Sequence, residues 1–227
     1  CFLDHENPVE KWRDVFIELD RVKEKLNSMK IKHLNVNGEN IDLKVGIGAN
    51  RKWMGGSGRN IPSFELFISP DWRMTEGKIK FNQPLYRYGN LVKDIELEFK
   101  NGVVISSKAS QNEPVLKEMI ATENADKIGE FSLTDSRLSR ITKFMAETLF
   151  DENIGGEHGN THVALGMAYK DSYPGDASEI TEKQWDEMGY NDSSVHTDII
   201  STEPRTVTAT LEDDSQVVIY KDGKFNF

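Results

Sequence analysis

Residues 195–200 place His196 and Asp198 two positions apart in an apolar run. If this run is a β-strand, residues two apart point to the same face, so the imidazole and the carboxylate lie side by side. Buried groups of these two types need each other or a metal ion. Two interpretations therefore fit the motif: a simple His–Asp hydrogen-bonded pair, and a pair of metal ligands.

Three further ionisable residues stand in apolar surroundings: Glu65, Glu130 and His162. Glu is almost never fully buried unless it is paired, although a single Glu also fits the exposed face of a half-buried strand, and a single His is usually a satisfied core residue. Taken with His196 and Asp198, the three suggest a shared cation. Oxygen and imidazole ligands without a thiolate suit zinc, cobalt or manganese at a hydrolytic site. The set is large enough for two metals that share a carboxylate; from the residues alone, a metal site and a hydrogen-bond network stay equally open.

Other catalytic patterns do not assemble. The chain has no Gly-x-Ser-x-Gly elbow and no His-Glu-x-x-His motif. The glycine-containing stretch 51–60 is followed by Pro62 and a strand-like run instead of the helix that a phosphate cradle requires, so it is interpreted as a loop. The single cysteine, Cys1, excludes an internal disulfide framework and a cysteine-based zinc site.

The elements that must position these residues follow from periodicity. Asn7 and Pro8 give the cap and first position of a helix whose apolar residues recur at helical spacing as far as Met29. Asn37 and Gly38 predict a hairpin turn before an alternating strand. Further helices are predicted at 113–122, 137–150 and 181–188, and further strands at 77–81, at 95–106 around a turn at 101–102, and in a terminal hairpin at 206–211 and 216–220. Strands and helices mix without a regular βαβ rhythm, which favours an α+β fold with mixed or antiparallel sheets and few helices.

Composition sets the class of protein. The chain has 227 residues, a net charge of −10, 37% hydrophobic and 29% charged residues, which is typical of a globular protein of one large or two small domains. The acidic balance argues against nucleic-acid partners and anionic membrane surfaces, and no apolar run approaches the roughly 20 residues of a membrane helix. The cysteine usage and the lack of a signal peptide predict the cytoplasm, and the start at Cys1 reads as a fragment.

Several stretches together resemble the metallo-aminopeptidases of the aminopeptidase T, aminopeptidase S and PepS family. They occur in the family's order over nearly the whole chain, and a chance match to all of them is improbable. The stretches are 58–62 with 65–70, 128–131, 148–153, 162–169 and 193–198.

The resemblance implies an aminopeptidase that hydrolyses the N-terminal residue from peptides at a co-catalytic pair of divalent metals, which would be zinc, cobalt or manganese. The metal-site residues carried over from the family are Glu65, Glu130, Glu152, His162, His196 and Asp198. Glu130 is the preferred proton shuttle, and Tyr169 matches the family's active-site tyrosine. Because the segment between residues 152 and 162 is longer than in many relatives, Glu157 is the alternative to Glu152.

The resemblance also implies that residues 1–227 are the C-terminal catalytic domain of a two-domain enzyme, lacking its N-terminal domain. Its substrates would be peptides with a free N-terminus, and its assembly a homodimer. The competing class is a binding module, in which a structural metal stabilises the chain and peptides are bound without turnover. The number of bound metal ions discriminates between the two.

Overall fold

The computed structural model describes all residues, 1–227, as four α-helices, fifteen β-strands and three single 3-10 turns. No helix in it combines the length and apolarity needed to cross a membrane. The helices are α1 (Pro8–Ser28), α2 (Glu113–Ile120), α3 (Thr148–Asp151) and α4 (Glu182–Glu187). The strands are β1 (Ile31–Gly38), β2 (Ile41–Gly46), β3 (Met54–Gly55), β4 (Glu65–Ile68), β5 (Glu76–Phe81), β6 (Leu85–Arg87), β7 (Asn90–Val92), β8 (Ile95–Lys100), β9 (Val103–Lys108), β10 (Ile128–Thr134), β11 (Asn160–Gly166), β12 (His196–Ser201), β13 (Arg205–Leu211), β14 (Gln216–Lys221) and β15 (Lys224–Phe225).

The strands form two main sheets and a small hairpin. The larger sheet has eight strands in the order β15-β14-β13-β1-β2-β5-β8-β9, the smaller has five in the order β12-β11-β10-β4-β3, and β6 pairs with β7 alone. Every pair of neighbouring strands is antiparallel. This arrangement with few helices confirms the α+β fold class.

One apolar core joins both sheets and helix α1. The smaller sheet turns alternate residues of its strands toward that core, among them Leu66, Phe131 and Val163, all fully buried. Helix α1 adds Leu19 and Leu26 from its buried stripe, and burying such side chains contributes about 1.5–3 kcal/mol each. The residues that alternate with these on the smaller sheet are turned to its other face, which is where the ionisable groups lie.

Most of the predicted elements are confirmed. Helix α1 begins as expected, with the Asn7 side chain accepting a hydrogen bond from the backbone N–H of Glu10. Helix α4 has a capping box between Thr181 and Gln184. The strand predicted at 95–106 is the hairpin β8–β9 with its turn at Asn101 and Gly102, and the terminal hairpin is β13–β14.

The helix predicted at 137–150 is wrong, because only its last three residues belong to a helix, α3. The backbone N–H groups of Met145 and Glu147 donate to the buried Asp151 carboxylate, at 2.6 and 3.0 Å. The N–H of Arg137 donates to the Asp135 side chain at 2.9 Å. Side-chain acceptors that compete for backbone donors in this way favour irregular structure over a helix.

The hairpin predicted at Asn37 and Gly38 exists, but its turn is two residues later, at Glu39 and Asn40. Strand pairing continues as far as Gly38, which lies opposite Ile41. A Cβ at Gly38 would lie 2.8 Å from the backbone oxygen of Pro204. The glycine is therefore required by the close approach of another segment and not by the turn.

Candidate metal centre

The register of the smaller sheet brings four strands' ionisable residues to one face. Glu130 on β10 and Asp198 on β12 both lie opposite Ala164 on β11. His162 lies two positions before Ala164 on β11, opposite Ser132 of β10. Since residues two apart share a face, these side chains converge, and the small Ala164 methyl leaves space between the two carboxylates.

His162 is at the centre of the group and is fully buried. Its Nε2 lies 2.9 Å from Glu130 Oε1, 3.4 Å from Glu65 Oε2 and 3.6 Å from Asp198 Oδ1. Ser132, on the same face, donates its hydroxyl hydrogen to Glu65 Oε2 at 2.9 Å. One imidazole nitrogen is thus surrounded by three carboxylates that lie far apart in the sequence.

His196 closes the same group from strand β12. Its Nε2 lies 3.5 Å from Asp198 Oδ1 and 3.9 Å from Glu130 Oε2. Its other ring nitrogen, Nδ1, donates to the backbone oxygen of Met167 at 2.8 Å when it carries the hydrogen. In the neutral imidazole this bond leaves the Nε2 lone pair directed at the carboxylates, which is the usual arrangement of a metal-ligating histidine.

Glu152 and Glu157 lie in different environments. Glu152 follows helix α3 and lines the same pocket as Glu65, Glu130, His196 and Asp198. Its backbone oxygen accepts a hydrogen bond from the Asn160 side chain at 2.9 Å, which fixes it beside strand β11. Glu157 is exposed, and its one ion-pair contact is with His158 Nε2 at 3.9 Å. The geometry therefore places Glu152, and not Glu157, beside the buried group.

Crowding of carboxylates changes the proton affinities in the group. Burial, with the nearby Glu130 and Asp198 charges, raises the pKa of Glu65 to about 7. Burial and the neighbouring carboxylates, Glu65 first among them, raise the pKa of Glu152 to about 10. These directions follow from the cost of holding several like charges in a poorly solvated space.

The histidines respond in the opposite sense. Burial by itself lowers the pKa of His162, but the carboxylates around it, chiefly Glu65 and Glu130, outweigh burial and raise that pKa to about 10. Burial also lowers the pKa of His196 by itself, and Asp198 outweighs it and raises that pKa to about 9. Burial by itself raises the pKa of Asp198, but the two histidines outweigh it, and the net pKa is lowered. Without another cation, the group attracts protons to offset its negative charge.

The donor set fits divalent metal ions. Ligand atoms of Glu65, Glu130 and His162 lie within 4.8 Å of one another. Two buried polar atoms in the group, Glu130 Oε2 and His162 Nδ1, have no hydrogen-bond partner, although buried polar groups normally have one. Oxygen and imidazole donors without sulfur are the ligands of zinc, cobalt and manganese sites.

Tyr169 lies at the edge of the group. Its ring is 4.6 Å from the His196 ring and 5.8 Å from the Phe67 ring, between centroids. The backbone N–H of Tyr169 donates to Ser69 Oγ at 2.8 Å, which holds the segment in place. Burial and the nearby Glu130 charge raise the pKa of the Tyr169 hydroxyl, so that it stays protonated as a hydrogen-bond donor.

The group forms the floor of a pocket of about 310 Å³. All of the residues predicted from the sequence except His162 line this pocket, and His162 is buried directly beneath it. Sequence reasoning missed Ser132, which period-two alternation from Glu130 could have placed on the same face. It also missed Arg59 and Asp171 on the pocket wall, which lie in loops and carry no periodic signal.

Comparison with known proteins finds relatives that are named as aminopeptidases. Aminopeptidase PepS of Streptococcus thermophilus is 30% identical over 98% of this chain and 56% of its own length. Aminopeptidase T of Thermus aquaticus is 31% identical over the same shares. The solved structure of wild-type AmpT from Thermus thermophilus superposes with a TM-score of 0.85 and 27% identity, covering 97% of this chain and 56% of that one.

The chain spans about half the length of the curated relatives that it matches. The family model described as thermophilic metalloprotease (M29) matches residues 1–225, which is nearly every position. The extent of that match, and the agreement of sequence relatives and structural neighbour, establish the classification. This chain belongs to the thermophilic metalloprotease (M29) family.

Proposed function

We propose that this chain is the catalytic domain of a metal-dependent aminopeptidase, which removes the N-terminal residue from peptides through two divalent cations. The observation that carries the proposal is the convergence of four carboxylates and two imidazoles on one pocket floor. The relatives named as aminopeptidases support the same activity. Because they are nearly twice as long, the activity of the whole protein is part of the proposal.

The charge of the group favours two ions over one. Four ionised carboxylates carry −4, and two divalent cations carry +4, so two ions neutralise the group while the histidines remain neutral ligands. A single dication would leave two negative charges in a poorly solvated space, which is costly. The residues that we propose to hold the ions are Glu65, Glu130, Glu152, His162, His196 and Asp198.

Glu130 and Tyr169 are proposed to handle the proton and the developing charge. When bound, the cations would supply a water of lowered pKa and Lewis-acid polarisation of the scissile carbonyl. Glu130 Oε1 contacts His162, whereas Oε2 has no partner, so the free oxygen is suited to take a proton and deliver it to the leaving amine. The Tyr169 hydroxyl, held protonated, is suited to donate a hydrogen bond to the oxyanion.

The proposal extends to the substrate and the assembly. We propose that the substrates are peptides with a free N-terminus and that the protein acts as a homodimer in the cytoplasm. A neutral α-amino group is a ligand for a dication. The unperturbed pKa of an α-amino group, about 7.7–8.0, is close enough to neutrality for a dication to displace its proton. An N-acetylated peptide lacks this ligand.

The test measures the metal content of the protein and its cleavage of peptides with free and with acetylated N-termini. Elemental analysis of the reconstituted protein is expected to find two ions per chain, and the protein is expected to release the first residue from free peptides but not from acetylated ones. The chelated protein is the matched control. One ion without turnover would establish the metal-stabilised binding module, no ion would establish a hydrogen-bond network, and equal cleavage of acetylated peptides would refute the aminopeptidase assignment.

A further inference from the structure

The wall of the metal-site pocket carries one permanently charged cation. Among the residues that line the pocket there is no lysine, and Arg59 is the only arginine. The pocket floor is acidic, and Asp171 adds a further carboxylate on the wall. Away from the proposed metal ions, this guanidinium is the one Arg or Lys side chain of the pocket lining that can attract a negatively charged part of a substrate.

Arg59 is presented by a loop with fixed attachments. Gly58 precedes it with φ +71°, and a Cβ at that position would lie 3.1 Å from the Phe16 ring of helix α1. Beyond the loop, the backbone N–H of Phe64 donates to the Asn153 side chain at 2.6 Å. The loop is therefore held between helix α1 and the segment that carries Glu152.

The present partner of Arg59 is replaceable. Its Nη1 donates to Asp171 Oδ2 at 2.8 Å, and both side chains are mostly exposed. Exposed ion pairs contribute only about 0–1 kcal/mol, so another carboxylate can take the place of Asp171 at small cost. Arg59 has no other side-chain hydrogen bond, which leaves the remaining guanidinium donors free.

We infer that Arg59 binds the C-terminal carboxylate of short peptides and thereby gives this site a preference for substrates of two or three residues. The inference rests on the proposed aminopeptidase function. An extended residue spans about 3.3–3.6 Å, so a tripeptide bound by its amino end on the pocket floor reaches roughly 10 Å toward the wall. A guanidinium and a carboxylate match in a two-hydrogen-bond arrangement that an amide cannot reproduce.

The experiment compares leucylglycylglycine with its C-terminal amide as substrates of the metal-loaded protein. The free acid is expected to have a kcat/KM about three- to fivefold higher, because an ion pair of an exposed arginine contributes up to about 1 kcal/mol. Arg59→Gln should bring that ratio close to one, and Arg59→Lys should keep an intermediate ratio. Arg13→Gln, which removes an exposed arginine of helix α1 outside the pocket lining, should leave the ratio unchanged. In a hexapeptide pair the ratio should already be close to one in the unaltered protein.

A binding measurement separates this inference from the proposed function. Dissociation constants of the same acid and amide peptides, made with a reduced and uncleavable first peptide bond, report carboxylate recognition without turnover. Loss of the acid preference in Arg59→Gln supports the inference even if the protein hydrolyses nothing. The inference is overturned if the unaltered protein binds acid and amide equally, or if Arg59→Gln weakens both alike, since the ion pair with Asp171 would then only hold the loop in position.

Discussion

Replacing Glu152 with Gln tests the metal centre through stability as well as activity. The carboxyl of Glu152 has its pKa raised to about 10 by burial and by the charges of Glu65 and Asp198. In the metal-free folded state it therefore keeps its proton at pH values where the unfolded chain has lost it. The folded state binds more protons than the unfolded state between the two pKa values, so this group destabilises the metal-free protein progressively as pH rises above about 4.5.

The magnitude follows from linkage. Between a pKa of 4.5 and pH 7, the cost is about 3 kcal/mol at 1.36 kcal/mol per pH unit. Because the side chain of Glu152 keeps some contact with solvent, we expect about half of this. Glu152→Gln removes the ionisation, so it should stabilise the metal-free protein by about 1–2 kcal/mol at pH 7, or roughly 3–6 °C in Tm, and by more at pH 8 to 9.

Metal binding should change in the opposite direction. A side-chain amide lacks the negative charge that holds a dication, so Glu152→Gln is expected to weaken metal retention at least about tenfold, comparable to losses at metal-supporting positions. The assay is thermal unfolding from pH 5 to 9, with chelator and with added metal. Glu157→Gln is the matched control, since Glu157 is exposed and outside the pocket lining. This substitution should change neither the stability of the metal-free protein nor its retention of metal. A Glu152→Gln protein that keeps its metal, or that gains no stability when metal-free, would refute the assignment of Glu152 to the centre.

Three further predictions concern catalysis and proton release. Glu130→Gln should lower kcat at least about a hundredfold, a typical acid–base contribution, while circular dichroism shows a retained fold. Tyr169→Phe should lower kcat about a hundredfold with little change in KM, because the oxyanion donor acts mainly in the transition state. A rise in KM as large as the fall in kcat would contradict that role. His162 and His196, with pKa values raised to about 10 and 9, hold protons at pH 7 that a metal must displace. Metal affinity should therefore rise from pH 6 to 9, and calorimetry in buffers of different ionisation enthalpy should detect proton release.

The sequence predicts those features of the site that depend on a single strand. The alternation of His196 and Asp198 was sufficient to place both on one face, and the structure has them 3.5 Å apart. Glu130 is identified by a different signal, a single carboxylate inside an apolar run, which needs a partner if it is buried; the adjacent Phe131 faces the core. Such inferences are reliable because side-chain direction within one strand depends only on the backbone.

Contacts between site residues on different strands could not be predicted in the same way. That His162 meets Glu65 depends on the register of β10 between β4 and β11, and a shift of one residue would turn either side chain to the core. The predicted helix at 137–150 failed for a related reason, because Asp151 captures backbone donors of that segment. Hydrogen bonds from a distant or irregular partner leave no periodic trace in the sequence.

Stability and chemistry are divided between the two faces of the smaller sheet. On the core side, Leu66, Phe131 and Val163 are fully buried and fix the register against helix α1 and the larger sheet. On the other side, the same register forces carboxylates together that would separate if the strands were free to slip. Because the apolar face stabilises the sheet against that repulsion, the polar face can hold more negative charge than it could sustain alone, and this excess is what makes it a site for divalent cations.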